Sequence, residues 1–452
     1  MMLPPSNILV LGGGIAGVAV ALALSQELTP IVPDLKITIY ELRDFPSTSG
    51  GAINLTPVAQ RHLDQLGVLE ELDKMGPEGG INVDGIQYFS VHNGRKMGCV
   101  DFAGKDGKGF GGYKGRRLMR ICLQLAMLAC VDKTPNVDIQ FGKKVIGGVE
   151  SEKGVTIFFE DGTKATGDLA LGCDGVHSHT RTKFVDPDRP SKYTGISFIQ
   201  TTMKADKIKS RVHFESTAMN RSRRGALLTT FCDKNKEDIF VAALAEIDSE
   251  HLTKEAWKPQ HDNWRPRWTP MRALRDDIHQ RFGDSAIPCV REIIDKAPEW
   301  FLYPVYELQP GGKWFTERVL LLGDAAHAMP PRDESAAYAL DDAILFSRIL
   351  ALYIDHPLTD SFKAYEDVRR KPINEAYREA VAGWARNKDV GRWASKIEEI
   401  MTPWYLMRRR MKARTGAWVF DAHTVEIPPP PTLPPRQYPK AWGEVDDDDE
   451  SW

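Results

Sequence analysis

Between Ile8 and Pro30 the chain passes from four apolar residues, Ile8–Leu11, through Gly12-Gly13-Gly14-Ile15-Ala16-Gly17 into a stretch rich in Ala, Val and Leu. Few folds accommodate that order. A short apolar run stopped by glycines and followed by a long helix-forming run reads as strand, tight turn, helix. Lys36–Tyr40 (KITIY), apolar and β-branched, then supplies a second strand, and the three elements make a βαβ unit. Each motif glycine has a physical task. Gly12 permits the tight turn, Gly14 lets backbone approach a pyrophosphate, and Gly17 lets helix and strand pack closely. The free N–H groups of the helix N-terminus suit an anion. Glu41, 24 positions beyond Gly17 at the end of the second strand, is placed to accept hydrogen bonds from ribose hydroxyls.

The same segment holds the longest uncharged apolar run, 17 residues from Ile8 to Leu24, close to the length of a membrane span or a signal peptide. Its glycines and the absence of a preceding Lys or Arg argue against both, and no other segment is a better anchor. With 59 Lys+Arg against 62 Asp+Glu the net charge is −3, which gives no general reason to bind nucleic acid or an anionic membrane. The six cysteines contain no Cys-x-x-Cys pair, which speaks against a thiolate metal site and a disulfide framework and for a reducing, cytoplasmic setting. No ligand spacing supports a metal.

Farther along, Val155–Phe159 followed by Glu160-Asp161-Gly162-Thr163 signals a hairpin, and Asp168–Gly172 and Arg318–Leu322 are short apolar strands. Helical spacing covers Arg61–Leu72, Arg116–Val131 and Ala336–Tyr353, and helical composition continues to about Gly416. Residues 187–306 have a different, mixed texture and read as an inserted domain. The tail from 421 to 452, with Pro428–Pro431 and the acidic run Asp446–Glu450, reads as disordered or extended over the surface. Trp257, Trp264, Trp268 and Trp300 read as core before pocket, and the basic run Arg408-Arg409-Arg410-Met411-Lys412 as a solvated helix face.

Two further motifs turn a general dinucleotide site into a particular one. Asp174-Gly175 and Gly323-Asp324-Ala325-Ala326-His327 each follow directly on one of the short apolar strands. At these positions and at the opening glycines, the chain from Ile8 to about Tyr377 resembles the FAD-dependent aromatic-hydroxylase family. These are single-component flavoprotein monooxygenases that include salicylate hydroxylase-like enzymes, and the likeness is greatest to the branch that tailors fungal secondary metabolites. The resemblance implies an α/β fold: a Rossmann-like FAD-binding domain (1–186 and 307–355) interleaved with a mixed α/β substrate domain (187–306), plus C-terminal helices (356–420).

It further implies FAD held by Gly12, Gly14, Gly17, Glu41, Gly51, Ala52, Asp174, Gly175, Gly323, Asp324, Pro331, Ala336 and Ala337. Arg116, read as opening a helix, is the expected arginine contact, with Arg117 as the alternative. NAD(P)H would reduce the flavin, and one atom of O₂ would pass to an aromatic or polyketide-derived small molecule.

The chain departs from the family pattern twice. After Pro330-Pro331 the family continues through a loop ending Gly-Gln-Gly, whose N–H groups stabilise charge on the reduced ring, whereas this chain reads Arg332-Asp333-Glu334-Ser335. Ser335 or Asp333 as a helix cap would preserve the dipole there; a non-oxygenating flavoprotein is the alternative. In the substrate domain, a Trp-Arg pair found in some relatives after Tyr-x-Gly is replaced by Ile199-Gln200. Gln200 can donate and accept hydrogen bonds but carries no charge. His213 is the other candidate near the chemistry, against the more ordinary reading of a strand histidine. Epoxidation stays open beside hydroxylation. A plain NAD-dependent dehydrogenase would need only the first βαβ unit and leaves the Gly-Asp motif unexplained.

Overall fold

The opening strand Asn7–Leu11 lies in the middle of a five-stranded parallel sheet, flanked by Leu169–Gly172 and Val319–Leu321 on one side and Lys36–Tyr40 and Val137–Gln140 on the other. Ile8, Leu9, Val10 and Leu11 are all buried, as a strand covered on both faces requires. The helix Ile15–Leu28 covers it together with Ser335–Leu352. The computed structural model describes residues 4–48, 51–248, 271–331, 335–414 and 420–432. The expected hairpin is present as Gly154–Phe159 and Lys164–Gly167, with Gly162 at φ +82° in the turn.

A second, seven-stranded sheet runs in the order Phe301–Glu307, Lys192–Lys204, Asp238–Glu246, Gly225–Phe231, Thr217–Ser222, Gly85–Ser90 and Lys96–Asp101. Five of its strands come from the inserted segment or its end. The last two come from the first segment and join through a parallel pairing of Thr217–Ser222 with Gly85–Ser90. One face of this sheet carries Ile199, Leu227, Val241 and Ala243, which pack with Ile278 and Ile293 of the helices Met271–Phe282 and Pro288–Lys296. Trp300 joins that core, and the other three tryptophans of the group lie outside the described residues.

Two local differences from the sequence reading have clear causes. Arg116–Met119 is strand, not helix, because Gly115–Met119 pairs with both Ala52–Leu55 and Ile81–Val83; the helix starts only at Arg120 and runs to Asp132. Pairing on both edges outweighs local helical spacing. The tail is not loose from 421: Ala422 is fully buried, Tyr353 Oη donates to Pro428 O at 2.9 Å, and Arg369 stacks on Phe420. Residues 433–452, including the acidic run, lie outside the described residues. No helix among the described residues is long and apolar enough to cross a membrane.

Candidate active site

The three motif glycines differ in what a side chain would meet. A Cβ on Gly17 would sit 1.9 Å from Gly12 O, and one on Gly12 (φ +114°) would sit 2.6 Å from Cys173 O. On Gly14 it would meet nothing within 4 Å. Gly12 thus lets the turn close against the end of the neighbouring strand, Gly17 lets the helix close against the turn, and Gly14 leaves space. Gly14, Ile15 and Ala16 face a cavity at this point, at the N-terminal end of their helix. Glu41 holds the turn from the neighbouring strand: Gly13 N–H donates to its Oε2 at 2.7 Å and Arg43 N–H to its Oε1 at 3.0 Å.

Two loops at the carboxyl ends of adjacent strands complete this side of the cavity. Asp174 accepts from Thr180 N–H (2.9 Å) through Oδ2, whereas its buried Oδ1 has no partner among the described residues, and Gly175 (φ +78°) faces the cavity. Asp324 faces it from the second loop. Although open to the cavity, its carboxyl is enclosed by protein on the far side, and desolvation pushes its pKa up against the opposing charges of His327 and Arg120. Arg181 ties the two loops together, donating to Ala325 O (2.9 Å) and Val176 O (2.8 Å).

Beneath the second loop is a buried ionic cluster that no local motif announces. Asp342 accepts from Gly323 N–H (2.8 Å), pairs with His327 Nε2 (2.7 Å), and accepts from Arg369 Nε (2.6 Å). Burial alone would raise its pKa, but the charges of His327 and Arg369 outweigh this and hold it at about 2. Arg369 also reaches Asp341 (3.2 Å), which bonds His62, which in turn meets His423 of the C-terminal strap at 2.7 Å. Gly323 (φ +61°) is thereby fixed by a carboxylate 19 positions downstream.

The other wall of the same cavity is the inner face of the seven-stranded sheet. Gln200, Ala242, Leu228, Met219 and Tyr88 stand in register across five strands and all face the cavity, with Phe198 and Leu244 in the next row. Side chains alternate along a strand, so Ile199, Ala243 and Leu227 point to the opposite core. Gln200 is one of the polar side chains of this floor, together with Tyr88, Tyr303 and Arg221 of the same sheet. His213 is not there: its ring lies on the far side of the sheet between Cys289 Sγ (2.9 Å) and Asn220 Oδ1 (2.7 Å), and burial lowers its pKa. Gly51 and Ala52 connect the two walls; a Cβ on Gly51 would come within 2.0 Å of the Phe240 ring.

The arginine assignment shifts. Arg116 turns away from the cavity to Asp73 (3.1 Å), while Arg117 and Arg120 line it. Alternation on the strand separates Arg116 from Arg117, and Arg120, opening the helix, lies close enough to Asp324 to oppose its rise in pKa. Pro331 and Ala336 face the cavity, whereas Ala337 packs in the core behind them. Residues 332–334 lie outside the described residues, as does the side chain of Ser335.

Comparison with known proteins gives this arrangement its family. A family model described as an FAD binding domain matches residues 6–380. The chain belongs to this family. It is 23% identical to 6-hydroxynicotinate 3-monooxygenase of Bordetella bronchiseptica over 86% of this chain and 94% of that protein. Among solved structures it superposes on Klebsiella pneumoniae HpxO complexed with FAD and uric acid with a TM-score of 0.70, at 20% identity and covering 90% of this chain and 94% of the other. A salicylate hydroxylase substrate complex gives 0.67 at 20% identity, with 93% and 97% covered.

The protein is thus an FAD-dependent monooxygenase with the Rossmann-like fold of the flavoprotein hydroxylases. Its residues fit the cofactor. The helix N-terminus behind Gly14 offers N–H groups and open space to a pyrophosphate, the unpartnered Asp174 Oδ1 and the cavity-facing Asp324 offer acceptors to hydroxyls, and Arg120 offers a cation. The cavity, about 1140 Å³, exceeds the roughly 300–1,000 Å³ that a single drug-sized ligand fills, which leaves room for a substrate beside the flavin.

Proposed function

We propose that the enzyme uses NAD(P)H and O₂ to hydroxylate an aromatic or polyketide-derived small molecule in secondary-metabolite biosynthesis. The observation that carries this reading is the continuity of one cavity from the glycine turn and Asp324 to the apolar sheet floor around Gln200. Bound FAD supplies the redox chemistry, activating O₂ so that one oxygen atom passes to the substrate. The chain supplies the setting. Phe198, Met219, Leu228, Phe240 and Leu244 present a broad apolar surface that fits a planar ring and keeps water from the reacting centre. Gln200, donor and acceptor at once, orients a hydroxyl or carbonyl without the charge that would hold a phenolate. The relatives include a 6-hydroxynicotinate 3-monooxygenase and a salicylate hydroxylase, which supports an aromatic substrate.

The test is NAD(P)H oxidation by the purified holoenzyme in the presence of hydroxybenzoates, hydroxypyridines and naphthol-type polyketide mimics. Oxidation stimulated several-fold by a member of the set is expected. Gln200→Leu should lower kcat/KM for that compound by about 3–10-fold, the loss of one hydrogen bond of about 0.5–1.5 kcal/mol. Flavin-containing protein that no member of the set stimulates would overturn the proposal.

A further inference from the structure

The C-terminal helix Arg392–Arg414 has its apolar side on the outside. Trp393, Ile397, Ile400, Trp404 and Met407 recur at steps of four, three, four and three, which aligns them on one stripe, and each is 51–79% exposed. The inner side is polar or tightly packed: Leu406 is wedged against Gly98, Glu399 accepts from Ser90 Oγ, and Glu398 lies 3.6 Å from Arg221. No described residue covers the stripe.

The charges of this helix are sorted in the same sense. Its sequence holds seven Lys or Arg and two Glu. Both Glu are turned toward the body of the protein, while Arg392, Lys396 and Arg408 are exposed, with Lys396 and Arg408 on opposite flanks of the stripe. An outward face of Trp, Ile and Met edged by cations is the pattern of a helix that lies in the plane of a membrane interface. Tryptophan suits that boundary because its ring is apolar and its N–H is wet.

We propose that this helix docks the enzyme peripherally on an anionic lipid bilayer. A second copy of the chain is a poorer occupant, because a symmetric pairing would bring two helices, each with a surplus of five positive charges, against one another. The whole-chain balance of −3 conceals this patch, since it averages one cationic helix over 452 residues. Met401, Trp404 and Met407 are exposed and also line the active-site cavity, so docking sets the apolar cavity next to the bilayer and gives a lipid-dissolved substrate a short path in.

The experiment is co-sedimentation of the FAD-loaded protein with vesicles of phosphatidylcholine alone and of phosphatidylcholine containing 30% phosphatidylserine, an assay that needs no turnover and stands apart from the hydroxylation proposal. The expected result is at least tenfold stronger partitioning onto the anionic vesicles, weakened at least fivefold by 0.5 M NaCl. Trp393→Ser/Ile397→Ser/Ile400→Ser and Arg392→Glu/Lys396→Glu, which alter no cavity-lining residue, should each abolish partitioning and keep the wild-type flavin absorbance. Wild-type protein that stays in solution with anionic vesicles overturns the proposal. So does a wild-type dimer in sedimentation velocity that the triple variant dissociates, since the stripe is then a contact between copies.

Discussion

Asp342 is the residue on which the geometry of the Gly323-Asp324 loop depends most directly. Asp342→Asn keeps the shape and one carbonyl oxygen but removes the charge that Arg369 (2.6 Å) and His327 (2.7 Å) share and one of the acceptors available to Gly323 N–H. Removing one partner of a buried ion pair costs about 3–5 kcal/mol. Arg369 retains Asp341 at 3.2 Å and Tyr338 O at 2.9 Å, which places the loss at the lower end, about 3 kcal/mol. Asp342→Ala, which also leaves a cavity and three unmet groups, should reach about 5 kcal/mol.

The pH dependence separates this from a general weakening. Because the carboxyl is held at about 2, below its ordinary 3.8, its stabilisation is complete above pH 4 and is lost as pH falls toward 2. Urea unfolding followed by tryptophan and flavin fluorescence at pH 7 and at pH 3 is the assay. The wild-type advantage over Asp342→Asn should shrink at the lower pH, and the variant should bind FAD more weakly because Gly323 loses its anchor. An unfolding midpoint and FAD stoichiometry unchanged from wild type would refute the reasoning.

Asp324→Ala should lower FAD content while far-ultraviolet circular dichroism stays that of the folded chain; unchanged flavin stoichiometry would remove Asp324 from the site. Arg120→Met should weaken FAD binding at least tenfold by fluorescence titration, and Arg116→Met, whose side chain faces Asp73, should not. Gly17→Ala should yield little soluble protein, since its Cβ meets Gly12 O at 1.9 Å, whereas Gly14→Ala, with open space, should fold and lose FAD affinity. His423 is held near 4 by burial and by the charges of His62 and Arg61. A histidine kept neutral in the fold stabilises above its ordinary 6.5 and ceases to as pH falls through 4, so the hydrogen-exchange protection factors of residues 420–432, taken relative to the intrinsic exchange rate at each pH, should fall between pH 7 and pH 4. Equal protection at both would show that the strap does not depend on that contact.

The cofactor side of the site was legible in the sequence because phosphate and ribose recognition is local: Gly12, Gly14 and Gly17 lie within one turn, and Asp174 and Asp324 directly follow short apolar strands. Register was the weak point. Arg116–Val131 has helical spacing throughout, and only pairing with two strands far away in sequence makes its first four residues extended and moves the cavity arginines to 117 and 120. The sheet floor could not be read as a surface, since Gln200 and Tyr88 join Leu228 and Met219 only through pairings between strands that are not consecutive in sequence. His213 shows the complementary error: it is close to the floor in sequence, but it sits in the loop before the strand Thr217–Ser222 and its ring packs against Cys289 and Asn220 on the far side of the sheet. The cluster of Asp342, Arg369, His62 and His423 is likewise invisible one segment at a time, because its members are separated by up to 361 positions.

In the proposed function this cavity brings FAD, O₂ and an aromatic substrate together for oxygen insertion. Turnover of the stimulating compound under ¹⁸O₂, with the product analysed by mass spectrometry, tests it most directly. One ¹⁸O atom in the product for each NAD(P)H consumed is expected. NAD(P)H consumption with only unlabelled or unmodified substrate recovered would contradict it and leave a flavoprotein that does not oxygenate.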